Sequence, residues 1–544
     1  MPSPPAQPDA VTAALSAALE AGPAAAADHL ARLNGPFAAG LRSADQRRAI
    51  VAVDRFSELT MCLRMQAGRL EFAERADELA GPGAALDPQA LFDYLYFHCI
   101  PAPRTVFRDV VRLPPGHFAW CEDGRLHVAP YWTPAFDEPA AAPDFGALRD
   151  EFRNLLRASV AARLRGGDRA CFLSGGTDSS TVAGMIGEAS GQPAQTYSIG
   201  FEAEGYDEMG YARIAARHFG TEHHEYYVTP ADLVRSIPDV ARHYDQPFGN
   251  SSALPAYYCA KVARERGVRH MLAGDGGDEL FGGNSRYAKQ RVFGWYQSVP
   301  SALRSGLLEP LLLGTPVGAL PLLKKGRSYI EQAKLPMPDR LETYNQLLRL
   351  GPAEVLTPSF LSQVDVRAPL ALQQQVWQSA RTSSEVNRTL GFDWRFTLAD
   401  SDLPKVRGTT ALAGVGVGFP FLDQRLLDFS LRLPAEYKLK GLKLRWFFKE
   451  ALRGFLPDEI ITKKKQGFGL PFGVWLTRDA ALLALARDSL GSLAGRGIVR
   501  PDFLASLLER RLAEHAGYYG GLVWVLMMLE QWLRAHAPGY RHEG

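Results

Sequence analysis

Eight residues, Leu173-Ser174-Gly175-Gly176-Thr177-Asp178-Ser179-Ser180, constrain the fold more than any other stretch of the 544-residue chain. They follow a short apolar run, DRACFL (168–173), and lead into the helical pattern SSTVAGMIGEA. A glycine turn between a strand and a helix N-terminus is a place where backbone N–H groups and the helix dipole hold an anion. The two glycines let the backbone approach phosphate closely, and the hydroxyls add donors. No Lys-Ser/Thr pair follows, so this is not a Walker A loop. Asp178 fits a phosphate site only if a divalent cation bridges it to the phosphates.

The surrounding pattern sets the fold class. AQTYSIGF (194–201), EHHEYYV (222–228) and VRHMLAG (268–274) read as further strands, with amphipathic helices at 231–243 and 253–266. Strands alternating with helices predict an α/β, doubly wound parallel sheet, and the chain from about 290 onward reads as helical. Upstream, AIVAVDRF, ELTMCLRM, GRLEFAE and HFAWCEDGRLHV (turning at Asp123-Gly124) suit antiparallel strands. The alanine-rich first 30 residues read as a weak helix or loose lead-in. The Pro- and Ala-rich stretch after Tyr131 reads as a connection, which divides the chain into 1–135, a linker at 136–147, and 148–544.

A second loop, Gly274-Asp275-Gly276-Gly277-Asp278-Glu279, also follows a strand. Both loops then emerge at the carboxyl edge of one sheet, where open α/β folds bind ligands. Asp178 and Asp278 can share Mg²⁺ on a triphosphate there.

Composition narrows the partners. Lys+Arg 61 against Asp+Glu 59 leaves a net charge of +2, with no general drive toward nucleic acid or anionic membrane. No run of about 18 apolar residues suggests a spanning helix. MPSPPAQPDA lacks a signal-peptide pattern. Five scattered cysteines without a CxxC pair fit a reducing cytosol, so a cytoplasmic location is expected.

The run SGGTDSS, together with YSIGF, YDE at 206–208, GDGGDELFGG and PFLD at 420–423, closely resembles the asparagine synthetases, members of the PP-loop (N-type) ATP pyrophosphatases. LPAEYKLKG, WFFKEAL and KKKQGFGLPFGVWL (463–476) extend the likeness, which covers about residues 50–540. The resemblance implies two-step chemistry: ATP adenylates a small-molecule carboxylate (aspartate by default) with release of pyrophosphate, and ammonia or another amine displaces AMP to give an amide. It further implies that Ser174, Gly175, Gly176, Asp178, Ser179 and Ser180 hold the pyrophosphate side, with Leu173 and Ile199 flanking adenine and Gly274 near the ribose. Asp178 and Asp278 would bind Mg²⁺, Asp275 would lie near the acyl-adenylate, and Lys465 would neutralise developing charge on phosphate. A homodimer is left open.

The chain also departs from that family. A complete member opens with a glutaminase whose nucleophile is a cysteine exposed by loss of the initiator methionine. Here Pro2 follows Met1, the first cysteine is Cys62, and Pro36 stands where an acid after Gly35 would hold glutamine. Without a thiolate there is no thioester route to ammonia. Residues 1–135 are therefore expected to be a truncated, inactive, mainly-β Ntn-like domain kept as a packing surface, which leaves room for a separate ammonia-supplying protein. Gly416-Val417-Gly418-Phe419 replaces the usual Glu-x-Arg-x before PFLD, and Lys405-Val406-Arg407-Gly408 replaces Lys-Val-Asp/Asn-Arg. The missing side chains are expected near the acceptor amine or its pocket. Two other readings follow from this: a synthetase for a specialised amide, of the β-lactam or lasso-peptide kind, or an ATP-binding scaffold that has lost its ligase chemistry. Three further features are read as structural. Gly414 to Gly418 lacks the spacing of a dinucleotide loop, His223 and His224 face opposite sides of a strand, and Trp524, Glu530 and Trp532 belong to a packed C-terminal helix.

Overall fold

Alternating apolar residues in the first 130 positions produce two small antiparallel sheets. One joins β1 (Ala38–Arg42), β2 (Arg48–Val53), β6 (His117–Glu122) and β7 (Arg125–Pro130); the other joins β3 (Cys62–Gln66), β4 (Arg69–Ala73) and β5 (Val111–Arg112). The β6–β7 hairpin turns at Asp123-Gly124 as its sequence predicts, with both residues at positive φ. The computed structural model describes residues 8–139, 143–297, 299–313, 321–464 and 469–542.

The alanine-rich start is not loose. It forms helices Pro8–Ala21 and Pro23–Leu30, whose Val11, Leu15, Leu19 and Leu30 pack against Ile50, Phe118 and Trp120 of the first sheet. The connection is packed as well. Trp132 and Phe136 lie against Trp394, with ring centroids 6.1 and 5.4 Å away, and Glu138 accepts a 2.6 Å hydrogen bond from Asn387. The next helix, Phe145–Arg163, begins inside the stretch read as linker because Asp144 caps the N–H of Ala147.

Five parallel strands follow: β8 (Ala170–Phe172), β9 (Gln195–Phe201), β10 (Glu222–Val228), β11 (His270–Leu272) and β12 (Gly416–Gly418). Their spatial order is β10-β9-β8-β11-β12. The winding direction reverses between β8 and β11, so the crevice for a ligand lies where the two glycine loops leave the sheet. β12 is the strand that the sequence reading did not foresee, since glycine weakens strands. It pairs with β11 through the register His270↔Gly416 to Leu272↔Gly418, and its two glycines lie against the His270 ring. A Cβ on Gly416 would stand 3.0 Å from His270 Nδ1, and one on Gly418 would stand 3.2 Å from Nε2.

The rest of the described chain is mostly helical. The final helix, Ala516–His536, buries Trp524 and Trp532, and its Glu530 meets Arg496 at 3.0 Å. His223 bonds Thr196 while His224 faces Glu222 and the Tyr197 ring, so the pair does divide between the two faces of β10. No described helix is long and apolar enough to cross a membrane.

Candidate functional site

Gly176 caps the helix Thr177–Ser190, and Gly175 turns the chain at φ 69°, where a Cβ would stand 2.5 Å from the backbone nitrogen of Ala212. Serine hydroxyls tie the loop to itself: Ser179 Oγ accepts the N–H of Ser174 at 3.1 Å and donates to the Gly176 carbonyl at 3.3 Å. From the other loop Gly274 closes in so tightly that a Cβ would lie 2.9 Å from the Ser179 nitrogen. Both loops therefore depend on glycine for contact, and they line one cavity of about 970 Å³.

Leu173, Ser174, Gly176, Asp178, Ser179, Ile199, Gly274, Asp275 and Asp278 all border this cavity. Ser180 does not. It is fully buried, because one residue beyond Ser179 the helix has turned about 100° toward the protein interior. Gly175 also lies outside the lining and contributes a backbone turn rather than a surface. Lys465 falls outside the described residues. Of its basic run, Lys463 is held by Glu208 at 2.9 Å and Lys464 borders the cavity.

The two aspartates face a common centre, as a shared cation requires. A Cβ on Gly277 would overlap Asp178 Oδ1, and one on Gly283 would overlap Asp278 Oδ1, so glycines seat both carboxylates. The sequence reading missed the residue between them. Arg445, in left-handed conformation (φ 55°), bonds Thr177 Oγ1 at 2.8 Å, Asp178 Oδ2 at 2.7 Å and Asp278 Oδ1 at 2.8 Å, and lies 3.9 Å from the centre of the Phe448 ring. Among the described residues no group of three or more His, Cys, Asp or Glu side chains is arranged for a metal. Two carboxylates are nonetheless the usual protein share for Mg²⁺, which keeps waters and takes phosphate oxygens for the remainder.

Further along the cavity a second charged group was also missed in part. Lys405 Nζ lies 2.8 Å from Asp402 Oδ1 and 3.5 Å from Asp275 Oδ1. Burial opposes the Lys405 ammonium, but Asp402 and Asp275 outweigh it and hold its pKa above the ordinary lysine value. Burial raises the Asp275 carboxyl against the pull of Lys405. Burial, with Asp402 and Asp393 nearby, lifts Glu279 to about 8. Perturbed groups converging in one cavity mark a candidate reaction centre. A signal existed in the sequence: Asp402 and Lys405 are spaced i, i+3 and lie on one helical face.

The departures lie elsewhere than expected. Gly416 and Gly418 are absent from the cavity lining and face His270. Gly408 faces Tyr244, whose hydroxyl bonds the carbonyls of Pro404 and Lys405 at 3.2 and 3.1 Å. Asp423 of PFLD is a helix cap, accepting the N–H of Arg425 at 3.0 Å and pairing with Arg163 at 3.1 Å. All five cysteines are buried and free, and burial pushes the Cys62 thiol well above its ordinary value, which is unlike a nucleophile.

Comparison with known proteins agrees with this geometry. Residues 151–534 match the asparagine synthase family model, and residues 14–132 match a glutamine amidotransferase domain. The chain is 25% identical over 450 residues to asparagine synthetase [glutamine-hydrolyzing] 1 of Bacillus subtilis, covering 82% of this chain and 68% of that one. It is 27% identical over 521 residues to a putative asparagine synthetase [glutamine-hydrolyzing] of Mycobacterium tuberculosis, covering 92% and 77%. Amidase chyE of Penicillium rubens is 23% identical over 495 residues, covering 82% and 71%. With a family model spanning well over half its length and the matching loops assembled at one sheet edge, the chain belongs to the asparagine synthase family.

Proposed function

We propose that the chain is an AMP-forming amide ligase: it activates a carboxylate with ATP, releases pyrophosphate, and passes the acyl group to ammonia or another amine. The observation that carries this reading is the single cavity joining the Asp178–Asp278 pair to the Asp275–Lys405–Asp402 group. The first end suits a polyphosphate and the second an acyl group and amine.

Ser174, Gly176 and Ser179 would hold the pyrophosphate side, Leu173 and Ile199 the adenine, and Gly274 would lie beside the ribose. Mg²⁺ on Asp178 and Asp278, when bound, would neutralise phosphate charge. Lys405 would stabilise negative charge developing at the acyl end, in a buried setting where such a charge is worth more than in water. Asp275, its carboxyl raised by burial, would accept a proton from the attacking amine. Aspartate is the default carboxylate, and amine supply from a separate protein fits a chain whose cysteines are buried.

Isotope transfer tests the reading. With a carboxylate labelled in both oxygens with ¹⁸O, one labelled oxygen should appear in AMP and the other should stay in the amide. Label in inorganic phosphate instead would mean acyl-phosphate chemistry and would contradict the proposal. A second reading, a dedicated synthetase for another amide, is separated from the first by the choice of labelled acid.

A further inference from the structure

The N-terminal domain has no exposed cysteine among the described residues, yet it grips the segment that carries Asp402 and Lys405 from both ends. On one side, Arg112 of β5 reaches across to Asp400 at 3.1 Å while also bonding the Ile100 carbonyl at 2.6 Å. The N–H of Ala102 meets the same Asp400 oxygen at 3.3 Å. Arg395 joins the junction, 3.0 Å from Asp400 and donating to the Ala102 carbonyl. On the other side, Arg407 donates to the backbone carbonyl of Glu58. That carbonyl is itself held in place. The buried Asp54 carboxylate accepts the N–H groups of Phe56 and Glu58 at 3.0 Å and of Leu59 at 3.1 Å, which shapes the turn in which Ser57 has φ 50°.

Between these two grips the chain changes from π-helix (Trp394–Asp402) to α-helix (Leu403–Leu412). A π-helical stretch is rare and costly, and persists where its surroundings over-determine it. Asp402 sits at its last residue and Lys405 one turn on. Their approach to Asp275 therefore depends on how firmly residues 400 and 407 are held.

We propose that the N-terminal domain is a positioning element for the ligase centre, in which Arg112 and Arg407 clamp residues 400–407 so that Asp402 and Lys405 meet Asp275. Arg407 stands where the family resemblance leads one to expect Asp or Asn, so this grip is a feature of the present chain. The inference rests on the proposed ligase reading for its catalytic readout, but not for its structural one.

The test compares two interface side chains in the full-length protein. Arg112→Gln removes one grip. Gln89→Ala removes an interdomain hydrogen bond at the opposite end of the helix Pro88–Phe97, where Gln89 Oε1 accepts the N–H of Asp365 at 2.7 Å. Arg112→Gln should lower kcat for carboxylate-dependent pyrophosphate exchange by about tenfold or more, the scale of small misplacements in active sites, with the KM for ATP unchanged. Arg112→Lys should recover part of it, and Gln89→Ala should leave kcat as in the parent protein. Hydrogen exchange read on a peptide covering 395–407 should speed up in Arg112→Gln and not in Gln89→Ala. Equal exchange rates and equal kcat in these two variants would overturn the clamp. If the parent protein catalyses no exchange with any acid, the ligase reading fails, and the hydrogen-exchange comparison alone still decides for or against the clamp.

Discussion

Restoring a side chain at Gly408 gives a prediction whose sign can be worked from the structure. Gly408 lies inside the helix Leu403–Leu412, where alanine is favoured over glycine by about 1 kcal/mol. Taken alone, Gly408→Ala should stabilise. Yet a Cβ there would stand 2.5 Å from Tyr244 Cε1 and 2.7 Å from its hydroxyl. Tyr244 cannot simply swing away. Its ring stacks on Phe248 at 4.6 Å, and its hydroxyl bonds the carbonyls of Pro404 and Lys405. Overpacking costs roughly 1–3 kcal/mol, and a lost buried hydrogen bond about 1 more. The clash therefore wins, and Gly408→Ala should destabilise by about 1–3 kcal/mol. For a unit of about 400 residues that is a fall in melting temperature of roughly 1–4 °C. In a Tyr244→Ala background the obstacle is gone and only helix propensity remains, so the same substitution should raise the melting temperature there. Differential scanning calorimetry on the four proteins of the cycle reads both signs. Stabilisation by Gly408→Ala in the parent protein would refute the packing argument, as would the same sign in both backgrounds.

Three further outcomes follow from the charged groups. Lys405→Met should leave Mg-ATP binding by calorimetry within about twofold while reducing pyrophosphate exchange by about a hundredfold or more, since the buried charge acts at the acyl end only; a matching loss of ATP affinity would contradict that division. Arg445→Met leaves Asp178 and Asp278 facing each other without their cation, so it should lower the melting temperature of the ligand-free protein, and added Mg²⁺ should recover more of it than in the parent. Burial, with Asp54 adding to it, lifts the Glu58 carboxyl to about 8, so the folded chain keeps this proton where the unfolded chain, at about 4.5, has lost it. Stability from this group therefore declines as pH rises between those values, and Glu58→Gln should show a melting-temperature advantage that grows from about pH 5 to about pH 8 and then levels. An advantage that stays level over that range would show that Glu58 titrates as an ordinary carboxylate.

The first glycine loop was legible because its residues are local: glycines, hydroxyls and Asp178 sit within eight consecutive residues after a strand. The parallel sheet was implied by alternation, which also located Asp275 and Asp278, whereas its order and its edge strand β12 were not. What sequence did not disclose arrives from far along the chain. Arg445 lies 267 residues beyond Asp178, and its left-handed backbone has no glycine or asparagine to announce it. Asp402 and Lys405 meet Asp275 only through the packing of a π-helix. The missing acid and guanidinium at Gly416 and Gly418 looked like damage to the acceptor pocket, and the structure places them against His270 instead. Ser180 was assigned by adjacency in a motif, whereas helical rotation buries it.

Those departures bear on the choice between ligase and scaffold. Gly408 admits Tyr244, Arg407 reaches the Glu58 carbonyl, and the two β12 glycines admit His270. Each change has a fitted neighbour, while the carboxylates and lysine lining the cavity are all present. A chain that had lost its chemistry by drift would have no reason to keep both.

The central claim is carboxylate activation, and ATP–pyrophosphate exchange measures it most directly. With Mg²⁺, labelled pyrophosphate and a panel of acids headed by aspartate, the parent protein should incorporate label into ATP with at least one acid. Asp178→Asn should abolish that incorporation. Firm Mg-ATP binding without exchange for any acid in the panel would contradict the ligase account and favour a nucleotide-binding scaffold.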